Sequence, residues 1–546
     1  MKLHWVTRGL KSLWGYQQLA RGGPITITST PRLALESWLQ DLRRPPRPKG
    51  RIAILAVRNP TWIEWALYCA CWMRRLGHAP LLLYSQREIS DIYEAPTLYH
   101  RFLHQGLWNS AARIPDVTLV NLDQEVPGEQ SIEGYRAFAR EAAPAVAAYE
   151  MHVEEHEEGP LREEYLRQLA RRERELARAG AVFETVLRRL EEPPRDALPM
   201  ARRLLAYSGV IGLSCAAGEA CRRLGWDAVY VESWAFKPGH MIGNLNAPAL
   251  RCDLRTWLEA AGELNAERAQ EMDRFLKFQE AGTGPREVAD AEWLQGFHRA
   301  QRANVSRRLP GRVREFLKGD QPTFLMATNV AGDSATLGVS TIFRSQRAWI
   351  GEVVRFFAQR PGLRLLLRAH PDEEWIPEKV RLKMGELAQE AAQGAPNVLV
   401  LPGSDDTSSY ALIPCAQAGL VWMSTIGVDM VIRGIPVIAA ARPRYHGLGI
   451  ALEPGSREEY FALVLELARA PQRTSPDQAR TGRQYLHAIF KDFSYQAFGP
   501  QFLGRDLRLS GHPEGGDCET FYRMLAGELP VPSRPRNRAA GTAPCA

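Results

Sequence analysis

The sequence predicts an α/β protein with two doubly wound parallel sheets, and three observations carry that prediction. Short apolar, β-branched runs alternate with stretches of helical apolar spacing between residues 51 and 232, and the alternation begins again at residue 323. A polar region, Gly282–Gly319, separates the two series. The length of 546 residues exceeds what one core organises, at about 100–200 residues per domain.

In the first series, Arg51–Val57 (RIAILAV), bounded by Gly50 and Asn59-Pro60, reads as a buried strand. Trp62 to Leu76 has helical spacing and Pro80–Tyr84 (PLLLY) reads as a second strand, which makes a β-α-β unit. Val117–Asn121 and Asp227–Glu232, the latter after a helix around Ser214–Leu224, read as further strands of that sheet. Between them Glu141 to Glu192, rich in Glu, Arg, Ala and Leu, predicts an insertion of two helices ended by Pro193-Pro194. So charged a segment reads as a solvated face and is assigned no chemistry.

The second series has strand-like runs at Thr323–Thr328, Leu363–Arg368, Val398–Leu401, Leu420–Met423 and Pro436–Ala440. Helical segments such as Gln346–Gln359 and Val380–Gln393 separate them, and Glu458–Ala470 and Tyr485–Phe498 read as closing helices. The expected map is therefore a basic leader over 1–50, a first α/β domain over 51–310 with its insertion at about 141–192, and a second over 320–500. An extension over 501–546 follows, with a disordered tail expected from about 527, where Pro and Arg recur.

Composition excludes several classes. With 45% hydrophobic and 24% charged residues the chain is neither collagen-like, nor wholly disordered, nor a small disulfide scaffold. The net charge of +7 sits in the first fifty residues, where nine basic side chains face only Glu36 and Asp41. A nucleic-acid binder is expected to spread its basic patch over the folded body, so none is expected as a partner. The Trp-containing leader reads as a solvated N-terminus or as a surface for anionic lipid or a partner. Eight cysteines without a C-x-x-C pair read as reduced core residues of a cytoplasmic protein, and no run of about 18 apolar residues predicts a membrane span.

Neither first strand is followed by G-x-G-x-x-G, which disfavours a dehydrogenase, and no P-loop or G-x-S-x-G spelling occurs. His152-Val153-Glu154-Glu155-His156 matches the zinc-protease spelling H-x-x-E-H but lies in the Glu-rich insertion, so no metal site is expected.

Ligands of open α/β sheets bind beyond the carboxyl ends of the strands, so the residues there are the candidates. Leu363–Arg368 runs into Ala369-His370-Pro371; the proline holds His370 in extended backbone at the strand end, where it and Arg368 can meet a phosphate oxygen or a leaving group. Ser424-Thr425-Ile426-Gly427 after the fourth strand has the hydroxyls and glycine of an anion site at a helix N-terminus, and Asp429 stands within reach of a ribose hydroxyl. Thr323–Thr328 ends in Asn329-Val330-Ala331-Gly332-Asp333, whose glycine lets backbone approach a ligand. In the first half, Asp227–Glu232 places Glu232 at a strand end, ahead of Gly239-His240 and Gly243-Asn244. The three second-half loops together read as one phosphate-and-ribose pocket.

Four motifs in order, Thr328-Asn329 with Asp333-Ser334, Leu367-Arg368 with His370-Pro371 and Glu373, Ser424-Thr425 with Gly427 and Asp429, and Gly434 with Pro436-Val437-Ile438, resemble GT-B glycosyltransferases of the capsule-polysaccharide biosynthesis type, relatives of the bacterial capsule Kdo transferases. The resemblance covers roughly Pro322 to Phe498. It implies a GT-B fold of two Rossmann-type domains facing a cleft, metal-independent transfer from a nucleotide-activated, CMP-Kdo-like donor, and a glycan or lipid-linked acceptor. The cysteine usage and the basic leader add an expected place in the cytoplasm and at the inner face of the membrane. On the resemblance, Asn329, Asp333, Arg368, His370, Ser424, Thr425, Gly427 and Asp429 hold the donor, which is a substrate and not a cofactor, while Glu232 or His240 serves as base or nucleophile beside His370. A CDP-glycerol-type glycerophosphotransferase, a nucleotide-sugar epimerase and a non-catalytic glycan-binding or partner-binding protein of the same fold remain alternatives.

Overall fold

The computed structural model describes residues 42, 45–56, 60–85, 111–192, 197–210, 212–233, 240–251, 254–281, 309–375, 381–489, 495–496 and 517–530. The leader, Trp234 to Gly239 and most of the C-terminal extension lie outside these residues.

The first body holds β1 (Gly50–Ala56), β2 (His78–Tyr84), β3 (Thr118–Asn121), β4 (Met200–Tyr207), β5 (Asp227–Ser233) and β6 (His240–Leu245). Its parallel strands run in the order β3-β2-β1-β4-β5, and β6 extends the sheet antiparallel, joined at its outer edge by a two-residue strand from Tyr495–Gln496. The second body is a fully parallel sheet of β7 (Thr323–Ala327), β8 (Arg364–Arg368), β9 (Val398–Leu401), β10 (Ala418–Val421) and β11 (Val437–Ala439), in the order β11-β10-β7-β8-β9. Numbered within each body, both parallel sets follow the doubly wound order 3-2-1-4-5. That order puts a switch point beside the first strand of each sheet. Two such sheets with helices on their faces are the α/β, GT-B-type architecture that the motifs imply.

The elements form where the residues ask for them. Helix α1 (Pro60–Arg75) opens on proline, which suits a first turn, and covers one face of the first sheet. Helices α2 (Arg136–Met151) and α3 (Arg162–Glu191) make the insertion, and α4 (Gly212–Leu224) packs against α3 with its alanines and cysteines buried. In the second body α5 (Gln346–Ala358) starts at Ser345, whose hydroxyl accepts the N–H of Ala348 at 3.1 Å. Its apolar stripe of Trp349, Ile350, Val353, Val354 and Phe357 is buried on the sheet. Helix α6 (Ile426–Ile432) follows β10, and α7 (Pro476–His487) has a complete capping box of Ser475 and Gln478. The chain then returns to the first body, where α8 (Asp517–Ala526) stacks Tyr522 on Trp72 of α1 with ring centroids 5.1 Å apart.

Three strands depart from the sequence reading. β4 carries Arg202 and Arg203 near its start, where they leave the sheet for Glu191 and for the carbonyls of Met524 and Leu525, so its apolar run is too short to read. β6 is not among the strands read from the sequence, where Gly243 and Asn244 interrupt its apolar run. β10 spans Ala418–Val421 and not Leu420–Met423, since Gly419 lies opposite Val437 in the register, with the Met430 sulfur where a Cβ would stand. Among the described residues no helix is long and apolar enough to cross a membrane.

Trp349 is fully buried, tilted against Trp422 at 5.7 Å, and its Nε1–H donates to the Tyr460 hydroxyl at 2.9 Å. Trp349→Ala is expected to lower the unfolding free energy of the second body by about 3–5 kcal/mol in urea titrations.

Candidate active site between the two sheets

Glu232 is the penultimate residue of β5 and is buried, 5% exposed. The phenol of Tyr207, at the end of neighbouring β4, donates to its Oε1. Burial pushes the Glu232 carboxyl up to about 8; the hydrogen bond from Tyr207 and the nearby Ser208 hydroxyl oppose that, the nearby charge of Asp333 adds to it, and Arg444 opposes it. Asp333 and Arg444 belong to the second body. The carboxyl ends of the two sheets therefore face each other, with Glu232 at their meeting. Ser208 sits at φ +57, a left-handed conformation that non-glycine residues rarely hold, where β4 turns away beneath the carboxyl.

Opposite lies the loop after β7. Asn329 accepts the N–H of Met423 on its Oδ1 at 3.3 Å, which spans the switch point between β7 and β10. Gln346 clamps the Asn329 backbone at both N–H (2.8 Å) and carbonyl (2.9 Å), so this asparagine is a positioning residue within the loop. Asp333 is exposed, accepts the N–H of Ala335 at 2.9 Å, and acts electrostatically on both Glu232 and His370.

His370 is held by its own strand end. Its N–H donates to Thr328 Oγ1 at 3.2 Å, and its Nδ1 accepts the N–H of Asp372 at 3.2 Å. An acceptor at Nδ1 leaves the proton of the neutral ring on Nε2. Desolvation holds its pKa below the ordinary histidine value, helped by Arg368 and resisted by Asp372 and Asp333. At neutral pH it offers one neutral N–H donor.

Several expected donor contacts are used inside the protein instead. Arg368 is buried, 2% exposed, and its guanidinium donates to the carbonyls of Pro402 and Asp405, so it pins the loop after β9 and does not face a phosphate. Asp429 is also buried, with the Tyr410 hydroxyl at 3.5 Å and the Arg433 guanidinium at 3.6 Å, which removes it from a ribose contact. Gly427 lets Tyr445 pack: a Cβ there would lie 2.5 Å from the tyrosine hydroxyl, which donates to the Ser424 carbonyl at 3.0 Å. Gly332, at φ +68, admits the backbone of the insertion and not a ligand, since a Cβ would lie 2.6 Å from the Ala148 carbonyl oxygen.

Ser424 and Thr425 remain half-buried at the N-terminal end of α6, where Thr425 makes no side-chain capping bond. His240 starts β6 one position beyond the Ser233–Met241 pair, so it stands at the same end of β5 as Glu232, and it pairs with Gln496 on its other side. Sequence reading missed Tyr207 and Arg444. The loop Arg442–His446 after β11 was findable by the strand-end rule, whereas Tyr207 lay in the strand that the two arginines concealed.

With this geometry, residues 268–471 match the family model described as Capsule polysaccharide biosynthesis protein. Over this stretch the chain is similar to that family. No curated protein sequence is similar enough to the chain to count as a match. Among solved structures it is similar to a KpsC beta Kdo 2,7 transferase of Thermosulfurimonas dismutans, at 13% identity over 55% of this chain and 80% of that one, with a TM-score of 0.30. It is also similar to a Neisseria meningitidis UDP-GlcNAc 2-epimerase bound to UDP-GlcNAc, at 10% identity over 80% of this chain and 98% of that one, with a TM-score of 0.24. The fold is read from the strand order of the two sheets.

The Gly427–Tyr445 contact gives a test of the Ser424 turn. Gly427→Ala is expected to cost about 1–3 kcal/mol, and Tyr445→Phe in the same chain should recover part of that, a coupling that a double-mutant cycle by denaturant titration measures.

Proposed function

We propose that the chain is a GT-B glycosyltransferase that moves a sugar from a nucleotide-activated donor to a growing surface or capsular polysaccharide. The observation that carries the reading is the meeting of Glu232, from one sheet, with Asp333 and His370, from the other, at the carboxyl ends of two Rossmann-ordered sheets, the second of which lies in the stretch that matches the capsule polysaccharide biosynthesis family model. Donor phosphates lie on the second body, where the Nε2–H of His370 and the hydroxyls of Ser424 and Thr425 donate to them and to the charge that develops as the sugar leaves. The acceptor lies on the first body, where the Glu232 carboxylate takes the proton of the attacking hydroxyl or attacks the sugar itself. The nine basic residues of the leader suit contact with an anionic lipid surface, where a lipid-linked acceptor would be found.

A thermal-shift panel of CMP, CDP, UDP and GDP tests the donor site, because a ligand of the folded state raises its melting temperature. One nucleotide is expected to stabilise the protein, and His370→Ala to abolish the shift; no shift with any of the four at millimolar concentration removes the donor site.

The raised pKa of Glu232 fixes the sign of the pH dependence. A carboxyl at about 8 carries its proton at neutral pH, so a base or nucleophile there gains activity as pH rises through that value. The expected kcat/KM profile is half-maximal near 8 on its acid limb, and Glu232→Gln is expected to lose about 100- to 10,000-fold in rate. A flat profile between pH 6 and 9 with an active Gln variant takes the role from Glu232.

A further inference from the structure

The segment joining the two helices of the insertion reads as a solvated face in the sequence; in the structure it meets the second body. Within five residues it carries four glutamates, and each of them meets the second body. Glu154 accepts the N–H of Arg347 on both carboxylate oxygens, at 3.1 and 2.9 Å, in the first turn of α5. Glu155 accepts the N–H of Gly338 at 2.9 Å. Glu157, buried, pairs with the Arg347 guanidinium at 3.0 Å, and Glu158 pairs with Arg344. The zinc-protease spelling thus describes an interdomain contact; among the described residues no cluster of His, Cys, Asp and Glu is placed to hold a metal.

The contact reaches the cleft. Gly332, the residue before Asp333, packs on the same segment so closely that a Cβ would stand 2.8 Å from His152 Cα and 3.0 Å from the Val153 carbonyl oxygen. Gln346, next to the Arg347 amide that Glu154 holds, clamps the Asn329 backbone. One short stretch of the first body thereby holds the Asn329–Asp333 loop at Gly332 directly and at Asn329 through the start of α5.

We propose that residues 152–158 are an interdomain clamp, with Glu154 as its positioning residue, which holds the Asn329–Asp333 loop opposite Glu232. The clamp itself follows from contacts between the two bodies; only its consequence for turnover rests on the glycosyltransferase reading. Glu154 touches no reacting atom and acts through α5 and the loop.

Hydrogen–deuterium exchange on the full chain, with Glu154→Ala, Glu154→Gln and Gly332→Ala, tests this. Gly332→Ala perturbs the same contact from the other side, and Glu154→Gln keeps the shape and one acceptor oxygen. The expected result is faster exchange in 152–158 and in 329–350 together in the two alanine variants, with partial rescue in the glutamine variant. In transfer assays kcat is expected to fall at least tenfold while the donor KM and the nucleotide-induced melting shift stay within twofold. Exchange that rises in 152–158 alone, leaving 329–350 as protected as in the wild type, overturns the clamp. Coupled exchange with unchanged kcat overturns the positioning role. If the wild type neither binds a nucleotide nor transfers sugar, the catalytic reading fails, and the exchange data still decide the clamp.

Discussion

The first turn of an α-helix has backbone N–H groups with no partner inside the helix, and burying them requires an acceptor from elsewhere. In this protein the helix is α5, its start lies at the join of the two bodies, and the acceptors are the Ser345 hydroxyl and the Glu154 carboxylate. The arrangement has a cost of its own. Burial pushes the Glu154 carboxyl up to about 7 against the hydrogen bonds it accepts, so the charged form is disfavoured in the folded state. That contribution opposes folding increasingly as pH rises from the ordinary glutamate range to about 7, and the contact is at its most comfortable when Glu154 carries a proton.

The cleft follows the same rule of few net charges in a desolvated place. Glu232 is shifted toward its neutral acid and His370 toward its neutral base, each mainly by loss of water and only secondarily by its neighbours. Asp333, exposed at the cleft, influences both groups, raising the two pKa values together, and Arg444 acts on Glu232 in the opposite direction. A ligand carrying phosphate charge would enter a site whose protein groups are mostly neutral donors, and such donors keep their orientation because their own bonds are made elsewhere: His370 through Thr328 and Asp372, Ser424 through Tyr445.

Around that site, residues of phosphate-binding type serve as supports. Arg368 spends its guanidinium on the carbonyls of Pro402 and Asp405, and the loop it holds rests so near the His370 carbonyl that a Cβ on Gly403 would come within 2.8 Å of it. Asp405 in turn pairs with Arg312 and accepts the N–H of Thr407 at 2.8 Å. Two loops at the ends of β8 and β9 are fixed to each other in this way, which makes the backbone beside His370 a rigid part of the second body.

The sequence by itself determined the class of fold and the location of the cleft. Short unbroken apolar runs such as Ile52–Leu55 and Leu365–Leu367, alternating with stretches of helical spacing, read as buried strands, and parallel order follows from the helices between them. Polar residues just after those runs, Glu232, Asn329, His370 and Ser424, were found because a strand end is a property of the local chain. What those residues face was decided by the tertiary structure alone. Arg368 and Asp429 have side chains suited to a ligand, yet each meets a group distant in sequence, the Pro402 carbonyl and the Tyr410 hydroxyl, which nothing in the local sequence marks. The glutamates of the insertion tip looked solvated for the converse reason: charge predicts exposure only until another body supplies backbone N–H groups and arginines to meet it, and those donors lie about 190 residues away.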